Sequence, residues 1–387
     1  MESIIIIGGG IGGAIAHDLT QRGYRVTLFE RGPLLSGSTG RHHGLLHSGA
    51  RYALHDLEAA RECWTENQIL RQIAPQGLEQ NNGLFVAVGE ADLAFQDDFL
   101  HRCHLAGIPA RVLSVSQARQ MEPELSPILL AAVEVPDATM DAWRLAMHFF
   151  ATARTNGADI RQFSEVTAIV RNEHQAMGVK VFDHRTHRSY VQRGDIVVNA
   201  AGPWAHKVAA LLGIGLPVKP APGVMVSIAR RLTRAVINRL HPAGEGDIVV
   251  PQRNQSLLGT TVWLADDPDQ VQMPGGHVRR IVEACAMMVP KVATMPVHAA
   301  WCASRPLIVR DSAQDPSKIS RTFDCIDHAA EDGIEGFVSV LGGKATTMRG
   351  MAERTGDLIN AKTGRDIPSR TRITRLTHYR RFYSAGG

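Results

Sequence analysis

The stretch Ile4-Ile5-Ile6-Ile7-Gly8-Gly9-Gly10-Ile11-Gly12-Gly13 decides the fold. Four β-branched residues in a row read as a short parallel strand buried on both faces. The glycines that follow satisfy G-x-G-x-x-G. Gly8 permits the tight turn, Gly10 lets a pyrophosphate approach the backbone, and Gly13 allows close helix–strand packing; Gly12 lies in the same turn. A helical stretch then runs through Leu19 and ends near Gly23. Arg25–Phe29 is a second strand, closing at Glu30. That acid stands twenty residues after Gly10, where a carboxylate takes both ribose hydroxyls. The whole is one βαβ unit whose helix N-terminus faces phosphates with unpaired N–H groups.

The motif alone does not separate FAD from NAD; two later elements do. Phe337–Leu341 runs into Gly342-Gly343-Lys344-Ala345-Thr346-Thr347, a second strand-to-helix junction with glycines at the turn. Such a junction aims a helix N-terminus at a flavin's pyrimidine edge, where negative charge grows on reduction. Asp195–Val198 is a strong apolar strand running into Asn199-Ala200-Ala201-Gly202, small enough for a cofactor to come close. The expected class is α/β: a Rossmann-type FAD-binding domain interleaved with a mixed-sheet substrate domain. Residues 1–80, 145–212 and 325–365 are expected in the first, 81–144 and 213–324 in the second, with 366–387 a basic tail. Helices are expected over Leu57–Ile73, Ala91–Ala106, Val278–Met288 and Asp141–Thr155, with Asp141 an N-cap. Strands are expected at Gly83–Val88, Glu165–Val170 and Gly178–Phe182.

The long loop Ser38-Thr39-Gly40-Arg41-His42-His43-Gly44-Leu45-Leu46-His47-Ser48-Gly49-Ala50-Arg51-Tyr52 is the most informative stretch for chemistry. A loop of this length inside a domain is usually functional. Three histidines invite a metal, but no acidic or cysteine partner sits at ligand spacing. The better reading is a cofactor-contacting loop in which Arg51 offers a bidentate donor to an anionic substrate.

Composition excludes several classes. The net charge of +4 and 21% charged residues come with no basic stripe in the body of the chain, which argues against nucleic acid. Five scattered cysteines, never spaced C-x-x-C, read as inert thiols of a reducing compartment. The N-terminus lacks the basic flank of a signal peptide, and no window approaches the about 20 apolar residues that cross a bilayer. A cytoplasmic protein is expected, with any membrane attachment peripheral, at the inner face and through a partner.

These stretches together are identified as a resemblance. The sequence resembles the FAD-dependent glycerol-3-phosphate dehydrogenases, most closely the large catalytic subunits of the anaerobic bacterial enzymes. The match runs from Ile5–Gly13 and Gly37–Ala53 through Val135–Leu145, Val197–Gly202, Asp247–Pro251, Gly259–Thr261 and Arg305–Leu307 to Gly342–Arg349. It implies an FAD enzyme that oxidises a secondary alcohol of a small phosphorylated polyol by hydride transfer. It implies that Arg51, Arg305 and Arg321 surround the substrate's phosphate and hydroxyls, and that Lys344 lies beside flavin and substrate. It also implies that His47 belongs to the flavin loop and that the backbone of Val166 holds the adenine. The expected cofactor contacts are completed by Arg31, Ser38, Thr39, Gly40, His43, Gly44, Leu45, Ala200, Ala201, Gly202, Trp204 and the turn Gly342–Thr347. His47 and Lys344 are both candidates for the base.

Three departures qualify the match. The relatives carry a C-terminal extension with cysteines for an iron–sulfur centre, and no such cysteines appear here through Gly387. Electrons would then pass to a separate iron–sulfur or flavin subunit, or to a quinone or oxygen. Pro222-Gly223-Val224-Met225 stands where relatives carry Lys-Gly, and Leu341 replaces a polar residue; both open the substrate to a different polyol phosphate or a hydroxy acid. A hydroxy-acid or amine oxidase, and a flavin-holding subunit without turnover, are the alternatives. From Arg365 to Arg381 the tail holds six arginines against one aspartate. A solvated end is the default expectation, docking on an acidic partner or anionic membrane the sharper one. Arg321 is expected in a strand, and the alternative for Arg321 and Arg349 is an exposed ion pair.

Overall fold

The computed structural model describes residues 2–241, 246–310, 315–316 and 319–384. The isoleucine run forms the strand β1 (Ser3–Ile7), hydrogen-bonded in parallel to β2 (Arg25–Glu30) on one side and to Ile196–Asn199 on the other. Asp159–Gln162 extends this sheet beyond β2; Phe337–Gly342 and then the antiparallel Phe323–Asp327 extend it the other way, giving six strands. Ile4–Ile7 are at most 7% exposed, because both faces are covered. One face carries helix α1 (Gly12–Gln21) between Ala142–Thr155 and Met348–Thr363. The other carries a three-stranded sheet, Ser164–Arg171, Ala176–Asp183 and Arg188–Arg193, whose Ile169, Val179 and Val181 pack on Ile5, Ile7 and Phe29. Fully burying a side chain such as Ile6 or Leu19 contributes roughly 1.5–3 kcal/mol each, so this layer is a major share of the core.

Local chemistry places the helices. Asp141 caps Ala142–Thr155 by accepting from Arg144 N at 2.9 Å. Asp56 caps Leu57–Ile73 (α2) in the same way through Ala59 N. Gly13 lies against Phe150: a Cβ there would sit 2.7 Å from the ring. The stretch expected as one helix over Ala91–Ala106 is two, Glu90–Ala94 and Gln96–Leu105. The buried Asp92 carboxylate accepts from Val88 N and pairs with Arg239, which ties down the first turn and lets the chain bend at Phe95.

The second large sheet has eight strands, in the order Val297–Ile308, Val218–Ile228, Gln255–Gly259, Ile248–Gln252, Val236–Arg239, Gly83–Ala87, Ala131–Val135 and Arg111–Leu113. Val297–Ile308 escapes sequence reading because Pro306 interrupts it. Proline is tolerated there because the strand lies at the sheet edge; its partner's Pro220 and Pro222 precede the pairing with Gln255–Gly259, where only their carbonyls are used, accepting from Ala265 N and Trp263 N.

Three expectations need correction. The tail is not a solvated end: Thr371, Leu376 and Phe382 are buried, and Leu376 N donates to Ile73 O. Ser369 Oγ donates to the buried Asp18, and Thr371 Oγ1 accepts from Arg349. Enough apolar and hydroxyl side chains alternate with the arginines to fasten the segment along the helical layer. Arg349 is not exposed; its side chain is 1% accessible and chelated by Glu66 and Glu353. Arg321 is not in a strand but in the extended segment ahead of Phe323–Asp327.

Candidate active site and cofactor cavity

A continuous cavity of about 1410 Å³ runs from the first βα turn, across the ends of the six-stranded sheet, to the face of the eight-stranded sheet. Binding pockets for one small ligand are typically about 300–1,000 Å³, so this one has room for a dinucleotide and a further small molecule. Its near end is built by the opening motif. Gly8 has φ +118°, and a Cβ there would lie 2.5 Å from the carbonyl of Ala200; at Gly10 it would lie 2.7 Å from Thr39 Oγ1. Helix α1 has no side-chain cap and no acid in its first turn, which leaves its N-terminus to an anion. Glu30 also lines the cavity, with its carboxylate accepting from Gly9 N at 2.7 Å and Gly32 N at 2.8 Å. Arg31, Val166, Ala200, Ala201, Gly202 and Trp204 complete this half. A cradle that side chains would fill, beside a bare helix N-terminus and a carboxylate, fits the pyrophosphate and ribose of FAD.

Not every expected contact faces the cavity. Ser38, Thr39, His43, Leu45, His47, Gly342, Gly343, Lys344, Ala345 and Thr346 line it, together with Arg51, Arg305 and Arg321. Gly12, Gly13, Gly40, Gly44 and Thr347 do not. Gly12 and Gly13 serve packing, against Leu28 and Phe150. Gly40 and Gly44 let backbone pass close to Leu35 O and Gln252. Thr347 Oγ1 closes the turn on Lys344, accepting from its N at 3.1 Å and donating to its O at 3.1 Å. In the second glycine turn, both φ values are positive, and a Cβ on Gly343 would strike the Met351 sulfur at 2.3 Å. Ser38 Oγ donates to Ser304 O, tying the loop to the edge strand of the larger sheet.

Of the three loop histidines His47 is buried and His42 and His43 are half-buried, and they are turned to local use. Nδ1 of His42 accepts from Gly44 N and Nδ1 of His43 from Leu45 N, at 3.0 and 3.1 Å. Burial pushes His42 down to about 4, and burial with neighbouring cations holds His43 and His47 well below the usual histidine range. All three are neutral at pH 7.

The far end is a cluster of cations. Arg51 Nη2 pairs with the buried Asp247 at 2.6 Å, and Asp247 also meets His241 at 2.8 Å. Burial raises the Asp247 carboxyl, but Arg51 and His241 outweigh it and hold it well below the carboxylate range. Arg305 donates to Thr260 Oγ1 at 3.0 Å and Thr261 O at 3.3 Å. Lys344 Nζ donates to Arg321 O at 2.6 Å and lies 5.1 Å from the Tyr52 ring centre. Arg321 is fixed through its N–H to Asp56 and its Nη2 to Pro316 O, whereas its buried Nη1 has no hydrogen-bond partner among the described residues. Tyr52 sits in the middle: its hydroxyl is 3.4 Å from His47 Nε2 and feels the charges of Arg321, Arg51 and Arg305. Burial pushes that phenol up to about 12.

Two positions singled out in the sequence, Gly223 beside Pro222 and Leu341, are placed by the structure. A Cβ at Gly223 would lie 2.8 Å from Arg305 Nη1 and 2.4 Å from Thr260 Oγ1, so the bare position makes room for the guanidinium. Leu341 is buried against Ala205 and Val218, facing away from the cavity, and does not bear on the substrate. Tyr52, Asp56, Thr260 and Asp247 were missed as site residues. Tyr52 had a signal, its place beside Arg51 in the loop; Asp56 and Asp247 act through partners far along the chain.

Residues 3–349 match the model of the DAO family, FAD dependent oxidoreductases. The chain belongs to that family. It is 40% identical over 373 residues to a subunit of the anaerobic glycerol-3-phosphate dehydrogenase of Escherichia coli, covering 96% of this chain and 69% of that protein. It is 39% identical over 381 residues to the corresponding subunit of the Haloferax volcanii enzyme, covering 95% of this chain and 65% of that one. Among solved structures, glycerol-3-phosphate dehydrogenase from Bacillus halodurans complexed with FAD superposes with a TM-score of 0.74 at 23% identity, over 97% of this chain and 68% of that one. Glycine oxidase from Bacillus cereus superposes with a TM-score of 0.72 at 21% identity, over 94% and 96%. These superpositions establish the α/β fold of FAD-dependent oxidoreductases for this chain. No helix among the described residues is long and apolar enough to cross a membrane.

Proposed function

We propose that this family member dehydrogenates the secondary alcohol of a small phosphorylated polyol of the glycerol-3-phosphate type, and passes the electrons to a separate partner protein or a quinone. The observation that carries the reading is the convergence of Arg51, Arg305, Arg321 and Lys344 on one end of the cavity, with a buried guanidinium nitrogen of Arg321 lacking a partner among the described residues. A phosphate dianion supplies what such a cluster wants: several acceptor oxygens and a compensating charge. The names of the E. coli and Haloferax relatives support the same substrate and a multi-subunit setting.

When bound, FAD supplies the hydride-accepting ring. The chain's own residues do the rest. Arg305 and Arg321 hold the anionic end, with Arg305 kept in place by Thr260 and Thr261. Arg51, clamped by Asp247, orients the hydroxyls. His47, neutral and 3.4 Å from the Tyr52 hydroxyl, takes the alcohol proton at Nε2. Lys344 Nζ already donates to Arg321 O, which suits it to holding an oxygen rather than to accepting a proton.

The test is anaerobic bleaching of protein-bound FAD by a substrate panel. Glycerol-3-phosphate is expected to bleach it, and unphosphorylated glycerol is not. Bleaching by a hydroxy acid or amino acid, with none by glycerol-3-phosphate, overturns the assignment.

A further inference from the structure

The segment 262–276 leaves the eight-stranded sheet and crosses to the six-stranded one. At its start it is anchored on the larger sheet, where Trp263 N donates to Pro222 O and Ala265 N to Pro220 O. Further along, Pro268, Asp269, Val271 and Met273 form part of the cavity wall. Two carboxylates there meet the other sheet's side. Asp269 Oδ1 accepts from Arg31 Nη2 at 2.6 Å and from Trp204 Nε1 at 2.8 Å, and its Oδ2 pairs with Lys207 Nζ at 2.8 Å. Asp267 Oδ1 pairs with Lys207 at 2.6 Å and accepts from Asp269 N at 2.9 Å. The Arg31 guanidinium stacks over the Trp204 ring at 4.8 Å.

The placement gives this knot a job. Arg31 directly follows Glu30 at the end of β2, and Trp204 follows the small residues after Ile196–Asn199, so both flank the nucleotide half of the cavity. We infer that Asp267 and Asp269 form an ionic clasp that closes the segment over bound FAD and sets how long the cofactor stays. The inference rests on FAD binding and goes beyond the chemistry of the substrate end. The paired side chains are between 34% and 45% accessible, so each bond is individually weak and open to salt. Several shared between two carboxylates and three donors act as one network, which has to open before a molecule the length of FAD withdraws. The clasp is a retention device, and it touches no reacting atom.

The experiment is FAD release from holo-protein, followed by the rise of free-flavin fluorescence after dilution with an excess of a flavin-binding trap, at low and high ionic strength. In the wild type, release is expected to accelerate with salt. Asp269→Asn is expected to raise the low-salt rate about three- to thirtyfold and to flatten the salt dependence. Lys207→Gln, which attacks the knot from the opposite side, is expected to act in the same direction and serves if Asp269→Asn does not fold. Asp269→Glu is expected to restore part of the slow release. Release rates equal to wild type in both variants at every salt overturn the clasp. Wild-type protein that takes up no FAD overturns the cofactor reading itself.

Discussion

Replacing Arg321 by Met separates a substrate-binding arginine from a structural one. The structure gives opposite expectations for stability and activity. In the resting protein the Arg321 side chain is half-buried with its Nη1 fully so, Nη1 is unpartnered among the described residues, and Arg51 is close enough to add to burial in disfavouring the charge. A buried donor without a partner costs about 1–3 kcal/mol. Met keeps much of the volume and removes that cost, while losing the bond from Nη2 to Pro316 O. Thermal stability without substrate is therefore expected to hold or rise. Once a phosphate is bound, the same nitrogen donates to an anion, and a charge-assisted hydrogen bond contributes about 1.5–3 kcal/mol. Its loss lowers kcat/KM for glycerol-3-phosphate by about ten- to 150-fold. The assays are anaerobic flavin reduction at varied substrate and differential scanning with and without glycerol-3-phosphate. The variant is expected to lose most of the substrate-induced rise in melting temperature. Full kcat/KM together with a loss of several degrees in the absence of substrate would show that Arg321 holds the fold and not the substrate.

Arg349→Met is expected to behave in the opposite way. It strands the nearly buried Glu66, held by Arg349 at 2.5 and 2.8 Å, and frees the tail at Thr371, so stability falls by about 3–5 kcal/mol in thermal or urea unfolding. Unfolding unchanged from wild type would remove Arg349 from the structural frame. His17 reports on pH. Buried in α1 with neither ring nitrogen hydrogen-bonded among the described residues, it is pushed by burial down to about 4. The unfolded chain binds a proton at this site below about 6.5 and the folded protein does not, so stability is lost as pH falls from about 6.5 to 4, by about 3 kcal/mol in all. His17→Leu is expected to shrink the difference in melting temperature between pH 7.5 and pH 4.5; an undiminished difference would assign the acid sensitivity elsewhere.

The opening motif was legible because every constraint in it is local. Four β-branched residues, a turn that only glycine fits at Gly8, and an acid at the end of the next strand lie within 27 residues, and the stretch forms β1, the glycine turn, α1 and β2 in the order read. The caps Asp56 and Asp141 act within their own first turns. Val297–Ile308 was not legible, since Pro306 looks like a breaker until the strand is known to be an edge. The tail misled in the same way: its arginine count signals solvent, while Thr371, Leu376 and Phe382 find cover only against helices from elsewhere in the chain.

By itself, the sequence determined the βαβ dinucleotide unit and the class of fold, because periodicity and glycine sterics act over a few neighbouring residues; it also named the arginines and lysine that line one end of the cavity. Tertiary structure alone decided which glycines face the cavity, that Gly223 makes room for Arg305, that Arg349 is structural, and that Asp247 clamps Arg51 across 196 residues and Asp269 clamps Arg31 across 238. Charges so far apart in sequence meet only once two sheets have set their positions, and no local pattern of residues encodes that meeting.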